Sequence, residues 1–329
     1  MRLWISLRNV RRSMSYLRDS SFSRSIVDGE HTARESNHQF HGALRAQIHL
    51  LYLIRFTFKL RMSAKMERLC DILFELSNED RLEILLRLVE EPFNLTTLSK
   101  KLDLTTQETS RHVFRLTEVN LTRKDPEGLI HVNPVGKLLL TQMRDMELVS
   151  RHLEYFNLHR TDHLPVEFTS RLGELTNATY IDDVMVVLHN MENVIAEAEE
   201  YILSMTDQYP ANAYSLFAEA LERGVVLNAI ERKGYSAPPQ ILEAIPEEVR
   251  ETIIRLRSKG FVVDRLIPDV DIHIFMTEKE VASVAFPLHG GRFDYIGFSS
   301  KDPQVHKWCH DVYEHYWETA KPRTEFFIT

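Results

Sequence analysis

An α+β chain is predicted, and three observations carry the prediction. From Lys65 to about Leu158 apolar residues recur at helical spacing, interrupted once by a short hairpin pattern. From Tyr201 onward short apolar runs alternate with amphipathic stretches, the order expected of a sheet with helices packed on it. The length of 329 residues suits two or three domains, and hydrophobic (43%) and charged (27%) contents are those of a globular protein.

Charge divides the chain. Residues 1–61 hold 11 Lys/Arg and 4 Asp/Glu, which leaves 29 basic and 44 acidic residues for the remainder. A body with that excess of acids is no bulk polyanion binder, so any nucleic-acid surface must be local. The two cysteines, Cys70 and Cys309, form no CxxC; neither a disulfide framework nor a zinc module is suggested, and a reducing cytoplasm fits.

Residues 1–61 are rich in Arg, Ser and His, with no apolar periodicity before Leu44. The run Ile48 to Ile54 is far shorter than the ~20 residues a bilayer span needs. No apolar core follows the first basic residues, which argues against a signal peptide; a surface anchor is the weaker alternative. The favoured reading is extra sequence, with the functional protein beginning at Met62 or Met66.

Leu69, Ile72, Leu73 and Leu76 make one helical face, and Ser77-Asn78-Glu79-Asp80 breaks it and starts the next helix. That helix carries Leu82, Leu85, Leu86 and Val89 and stops near Pro92. Asn94 caps a short helix to Leu102. Thr105 and Glu108 have capping-box spacing, so a further helix starts there. Its core stripe is Thr109, Val113, Leu116 and Asn120; Gln107, Arg111, Phe114 and Glu118 lie opposite, flanked by Ser110 and Arg115. Asn120 suits a left-handed junction. Leu121 to Lys124 and Leu129 to Val132 flank the turn-forming Asp125-Pro126-Glu127-Gly128.

Helix, helix, short helix, turn, helix, hairpin is the order of a winged helix-turn-helix. Gln107, Ser110, Arg111 and Arg115 are expected at base edges and phosphates, with Arg123 and Lys124 on the DNA backbone. Thr105 and Thr106 offer hydroxyl or N–H groups to a phosphate. Phe114 is expected to pack under the wing, and His112 in the core.

Asn133-Pro134 starts a long helix, with Leu138, Leu139, Met143, Met146, Leu148, Val149, Leu153 and Phe156 continuing its apolar pattern to about Leu158. It is expected to pair two copies, a plain connector being the alternative. Asp162 to Leu175 reads as helical and Asn177 to Thr179 as a loop. Strands are expected at 201–205, 225–230 and 261–266, a hairpin around Thr277-Glu278-Lys279, and a strand near Tyr295 to Phe298. Pro303 to Ala320 closes the fold with a stripe of Val305, Trp308, Cys309, Val312 and Tyr316.

The N-terminal motif resembles the winged-helix part of the ArsR-like archaeal regulators, through Leu98-Ser99-Lys100-Lys101-Leu102, Ser110-Arg111-His112-Val113, Leu116, Leu121-Thr122, Gly128 and Gly136. The span from about Met66 to Pro322 is similar to the archaeal methanogenesis-type Fil regulators. There the shared residues are Phe286-Pro287-Leu288, Gly291-Arg292-Phe293-Asp294-Tyr295, Phe298-Ser299-Ser300 and Trp308 through Tyr316-Trp317. The resemblance implies a dimeric, cytoplasmic transcription regulator. The paired-Cys motif of metal-sensing members is missing, since this winged region has only Cys70.

The C-terminal half also resembles the sensor domain of TrmB-type regulators, which shares the phospholipase D architecture. Enzymes of that architecture need His-x-Lys; here His273-Ile274-Phe275 puts Phe in place of Lys, so a non-catalytic domain is expected. By itself His273 reads as a strand residue facing sheet or solvent. Gly290-Gly291-Arg292, beside His289 and Asp294, is first a turn; it could also close an anion pocket with Arg265, and together with His273 these residues are the first place to seek an effector. His306, Cys309 and His310 have ligand spacing but read as a packed Cys beside exposed imidazoles, and His159 with His163 carries less weight. No metal or cofactor is expected.

The organisation expected is therefore an extension over 1–61, a winged domain over 62–133, linking or dimerisation helices over 134–176, an α/β sensor-like domain over 177–322 and a tail over 323–329. The expected function is transcription regulation: double-stranded DNA as partner, a homodimer, an unknown effector and no membrane. A phosphodiesterase carrying a winged interaction module is the alternative.

Overall fold

A computed structural model describes residues 66–209, 212–234 and 238–323; the expectations for 1–61 and for most of the tail lie outside them. The chain divides between Leu82 and Glu83 into two units.

In the first unit, helix α1 (66–76) ends where Arg81 folds back on it. The Arg81 guanidinium donates to the carbonyls of Glu75 (2.8 Å) and Phe74 (3.1 Å) and pairs with the Glu75 carboxylate at 3.0 Å. These carbonyls are among those a helix C-terminus leaves unmet. The Asn78 side chain accepts from Arg81 N–H at 3.1 Å, the bond of an N-cap, as the next helix begins.

α2 (Glu79–Glu90) carries the chain into the second unit, followed by α3 (Leu95–Lys101), α4 (Thr106–Glu118) and the hairpin β1 (Thr122–Lys124) with β2 (Ile130–Val132). Leu85, Leu88, Phe93, Leu98, Leu116, Leu121, Ile130 and Val132 are buried and form the small core. Phe93 adds a one-residue third strand, its carbonyl accepting from Ile130 N–H at 2.8 Å. The helix–turn–helix–wing order read from the sequence is the observed one.

α5 (Pro134–Arg151) leaves the wing so closely that a Cβ on Gly136 would lie 2.7 Å from the Leu121 carbonyl oxygen. The helix expected to run on to about Leu158 breaks at His152, whose backbone (φ −118°, ψ 40°) leaves the helical region; α6 (Leu153–Leu158), α7 (Val166–Thr169) and a 3-10 turn (Leu172–Leu175) follow. The segment from Asp162 to Leu175 is thus two short pieces, not one helix. The second lies against α5, where a Cβ on Gly173 would meet Arg144 and Asp145 at 2.7 Å.

The rest is a mixed sheet of eight strands among the described residues, in the order β10-β6-β5-β4-β7-β8-β9-β3. In chain order these are β3 (Thr179–Ile181), α8 (Val184–Glu197), β4 (Tyr201–Met205), α9 (Ala213–Glu222), β5 (Val226–Arg232), α10 (Pro239–Ala244), α11 (Glu247–Ser258), β6 (Val262–Ile267), β7 (His273–Thr277), β8 (Val281–Ala285), β9 (Gly297–Ser300), α12 (Pro303–Thr319) and β10 (Lys321–Pro322). β4, β5 and β6 run parallel, joined by helical crossovers; the other pairings are antiparallel.

Side chains alternate across the sheet. Ile202, Leu227, Val262 and Phe275 face α8, α9 and α11. Leu203, Ile230, Ile267, Ile274 and Met276 face α12 and the 148–175 segment, around Trp308 and Tyr313. Both faces are covered, which is why these strands read as continuous apolar runs. β3 falls partly in the stretch expected as a loop, and β10 and α10 were not expected. These three are short, and edge pairing rather than apolar pattern defines the strands. Beyond β10, Arg323 is no free tail: its guanidinium pairs with buried Glu231 at 2.8 Å.

Candidate nucleic-acid interface

Helix α4 begins with a complete capping box. Glu108 N–H donates to Thr105 Oγ1 (3.2 Å), and Thr105 N–H donates to the Glu108 carboxylate (3.1 Å). The Thr105 hydroxyl also donates to Glu108, at 2.7 Å. These bonds hold the Glu108 carboxyl below the usual carboxylate range. Thr105 therefore caps the helix in this geometry, and its donors are engaged by a neighbour instead of being offered to a phosphate. Thr106 is exposed at the first turn.

The helix buries Thr109, His112 and Leu116; Val113 is half-buried and Asn120 exposed. The inner stripe is thus rotated from the expected one, with His112 taking the place given to Val113. The opposite side exposes Gln107, Ser110, Arg111, Phe114 and Arg115. Phe114 does not pack under the wing. It stands 63% exposed in the middle of the polar face. The spacing put it on that side, and its exposure overturns the expected packing under the wing.

α4 ends at Asn120, whose φ of +64° is the left-handed value its position called for. Leu121 N–H then bonds the Leu116 carbonyl (2.9 Å) and the chain turns into the wing. Asn133 braces that junction, its side-chain amide donating to the carbonyls of Asn120 (3.1 Å) and Thr122 (3.2 Å). In the hairpin Thr122 faces Val132, Arg123 faces His131 and Lys124 faces Ile130. Arg123 and Lys124 are both exposed.

Asp125 closes the wing turn. Its carboxylate accepts from Leu129 N–H (2.7 Å) and lies 2.7 Å from His131 Nε2, and Gly128 takes φ +89°. The His131 contact, reinforced by the Leu129 N–H, holds the Asp125 carboxyl below its ordinary value.

The residues first considered for an effector fall into three places. Arg265 is on β6, on the α12 side of the sheet. It donates to the Trp317 carbonyl (2.6 Å) and its guanidinium stacks 4.3 Å from the Trp317 ring centroid. His273 has the parity of Phe275 and so lies on the opposite side. The sheet separates the two, so Arg265 and His273 do not line one site. His273 does not face solvent: it is fully buried, and neither ring nitrogen has a hydrogen-bond partner among the described residues.

His289, Arg292 and Asp294 lie on the loop after β8. His289 Nε2 is 2.9 Å from the Asn157 carbonyl, Arg292 is exposed, and Asp294 lies 3.1 Å from His159 Nε2. His159, given little weight in the sequence, is 4% exposed, stacks on Tyr155 at 3.8 Å and places Nδ1 2.8 Å from the Tyr155 carbonyl. These side chains join helix α6 to the sheet domain. His306 and His310 do not converge with Cys309: one contacts the Thr277 carbonyl (2.8 Å), the other faces Glu314 (3.9 Å), and Cys309 is buried. No helix among the described residues is long and apolar enough to cross a membrane.

No family model matches the chain, and no curated protein does. The chain is similar to several solved structures. TrmBL2, an archaeal chromatin protein whose structure is described as showing a novel mode of DNA binding, is 16% identical over 75% of this chain and 94% of its own, with a TM-score of 0.36. Reduced HlyU from Vibrio cholerae N16961 is 25% identical over 29% of this chain and 97% of its own, with a TM-score of 0.22. Nuc from Salmonella typhimurium, a phospholipase D family member, is 11% identical over 41% of this chain and 89% of its own, with a TM-score of 0.29.

Proposed function

We propose that this chain is a sequence-specific DNA-binding transcription regulator that works as a homodimer and is modulated by an effector held in its C-terminal sheet domain. The observation that carries the proposal is one surface. Gln107, Ser110, Arg111 and Arg115 on a capped helix, and Arg123 and Lys124 on the adjoining hairpin, are all exposed. The helix enters the major groove, the arginines and the amide read base edges, and the wing lies along the backbone.

Pairing through α5 supports the dimer. Val135, Leu138 and Met146 are 51%, 61% and 60% exposed and fall on one side of the helix at 3.6 spacing. Two copies joined there would present two recognition helices to two half-sites, and a change in the sheet domain would alter their spacing. Leu138→Glu is expected to give monomers in analytical ultracentrifugation and to weaken binding to two-half-site DNA.

The test is selection of bound duplexes from a random-sequence pool, followed by anisotropy titrations across salt. Arg111→Ala should weaken the selected site by roughly 1–3 kcal/mol and relax its preference at one position. Arg123→Ala should weaken all sequences alike and reduce the salt slope by about one. Unchanged specificity in Arg111→Ala would refute the assignment. The phosphodiesterase alternative finds no support: buried Phe275 stands where the charged partner of His273 would be needed.

A further inference from the structure

The loop from Phe286 to Ile296 divides its residues between two neighbours. Phe293 and Tyr295 turn toward His273, with ring centroids 6.3 and 5.2 Å away. Asp294, between them, reaches His159 at the end of α6. Gly290 and Gly291 precede them with open space around both, Gly291 at φ +75°. Tyr295 itself has φ +63°. A bulky side chain in that region costs about 1–3 kcal/mol and persists only where its surroundings hold it. Here the Tyr295 hydroxyl donates to Asp207, just past the end of β4, and Ile296 N–H donates to Asp294 at 3.1 Å.

Beneath these two rings, His273 is fully buried, and neither of its nitrogens has a hydrogen-bond partner among the described residues. Ser283 Oγ is also buried and unpartnered there. The strand register relates the two. His273 lies opposite Ala285 and Phe275 opposite Ser283, so Ser283 shares the sheet face of His273, one residue pair along. More than nine in ten buried polar groups are paired, and each failure costs about 1–3 kcal/mol. Three such atoms on one face, under a strained loop with a glycine hinge, form a patch arranged for something other than stability.

We propose that His273 and Ser283 are the floor of the effector site and Phe293 with Tyr295 its lid, and that the effector is a small, uncharged, planar nitrogen heterocycle of purine type. This rests on the regulator reading above. Burial pushes the His273 pKa down to about 3, so the ring is neutral and offers one N–H and one lone pair. A ligand edge carrying both an acceptor and a donor satisfies both, the Ser283 hydroxyl takes a third bond, and aromatic walls suit a flat ring.

Of the nearby charges, Asp207 is committed to the Tyr295 hydroxyl, Asp294 to His159 and Arg265 to the far face, and Arg292 is exposed to solvent. A charged ligand taken down to His273 would lose its hydration with none of the buried floor groups charged to replace it. Opening the lid at Gly290-Gly291 moves Asp294, hence His159 and α6, which follows directly on the helix that leaves the wing.

Differential scanning fluorimetry of the full chain with hypoxanthine and adenine tests this, with glucose and inorganic phosphate as comparators. Either base is expected to raise the melting temperature by about 3–6 °C near saturation, and to change affinity for the selected DNA at least about fivefold. His273→Phe should melt higher than the parent without ligand, keep its DNA binding, and lose the base-induced shift. The inference is overturned if neither base shifts melting, if glucose or phosphate does so instead, if the shift survives in His273→Phe, or if that variant melts lower. The melting assay needs no DNA. A base-induced shift in a chain that selects no duplex upholds the site and removes the regulator reading; selective DNA binding with no shift does the reverse.

Discussion

Between Thr105 and Val132, the side chains that shape the backbone find partners close by in sequence: Glu108 three residues from Thr105, Leu129 four from Asp125, His131 six from Asp125. Between Phe286 and Ile296 the partners lie far along the chain. Phe286 N–H donates to the Tyr155 hydroxyl across 131 residues, Asp294 meets His159 across 135, and that hydroxyl donates to Ile296 O across 141. The first region carries its own instructions and displays its polar side chains to solvent. The second is held in shape by the rest of the fold; it contains the left-handed Tyr295, and its rings lie beside His273, whose nitrogens have no hydrogen-bond partner among the described residues. A surface that must fit a fixed partner gains from local rigidity. A site that must open gains from being held by contacts that can be exchanged.

The contrast is most exposed to failure at Gly297. A Cβ there would collide with the Val284 carbonyl oxygen of the paired strand. Gly297→Ala is expected to destabilise the sheet domain by roughly 2–3 kcal/mol in urea unfolding. Hydrogen exchange in the 105–132 amides should stay protected after the sheet domain opens; simultaneous loss would show that the helix and wing depend on the sheet.

Tyr155→Phe is the next largest. It removes the acceptor of buried Phe286 N–H (2.9 Å) and the donor to Ile296 O (3.1 Å), at a cost of about 2 kcal/mol. If stability falls but DNA affinity does not, the joint is structural; a change in both would tie it to signalling. Thr105→Ala is smaller, about 1 kcal/mol, because a cap bond is lost at an exposed position. Local encoding predicts a loss confined to α4, readable as faster exchange of its first-turn amides.

The smallest effect is a pH dependence of the wing. The Asp125 carboxyl is held low, chiefly by His131. A depressed folded value means that its contribution is fully present above the ordinary aspartate value of about 3.9 and is lost as pH falls through the lowered folded value. Amide exchange at Leu129 and Gly128 should accelerate on acidification below pH ~4, and Asp125→Asn should show no such step.

Much of the candidate surface on α4 and the wing was legible because its determinants are short-range. Thr105 with Glu108, Asn120 in the left-handed region and the Asp125 to Gly128 turn are each decided within a few residues. Phe114 and Thr105 were placed correctly but misjudged in role, since whether a ring finds cover, or a cap spares its donors, depends on neighbours that spacing does not name. The sheet strands were legible as apolar runs because both faces are covered. β10 was not, being two residues defined only by pairing with β6.

From sequence alone came the helix–turn–helix–wing order, the helix starts set by Ser77–Asp80, Asn94, Thr105 and Asn133-Pro134, and the polar face of α4. Those follow from backbone preferences and hydrogen bonds that act over one or two turns. Only the tertiary structure decided that Arg265 and His273 stand on opposite sides of a sheet, that His159 is a buried link to Asp294, and that the His273 nitrogens have no hydrogen-bond partner among the described residues. Such facts depend on strand order and register, which bring together residues more than a hundred positions apart and leave no local trace in the chain.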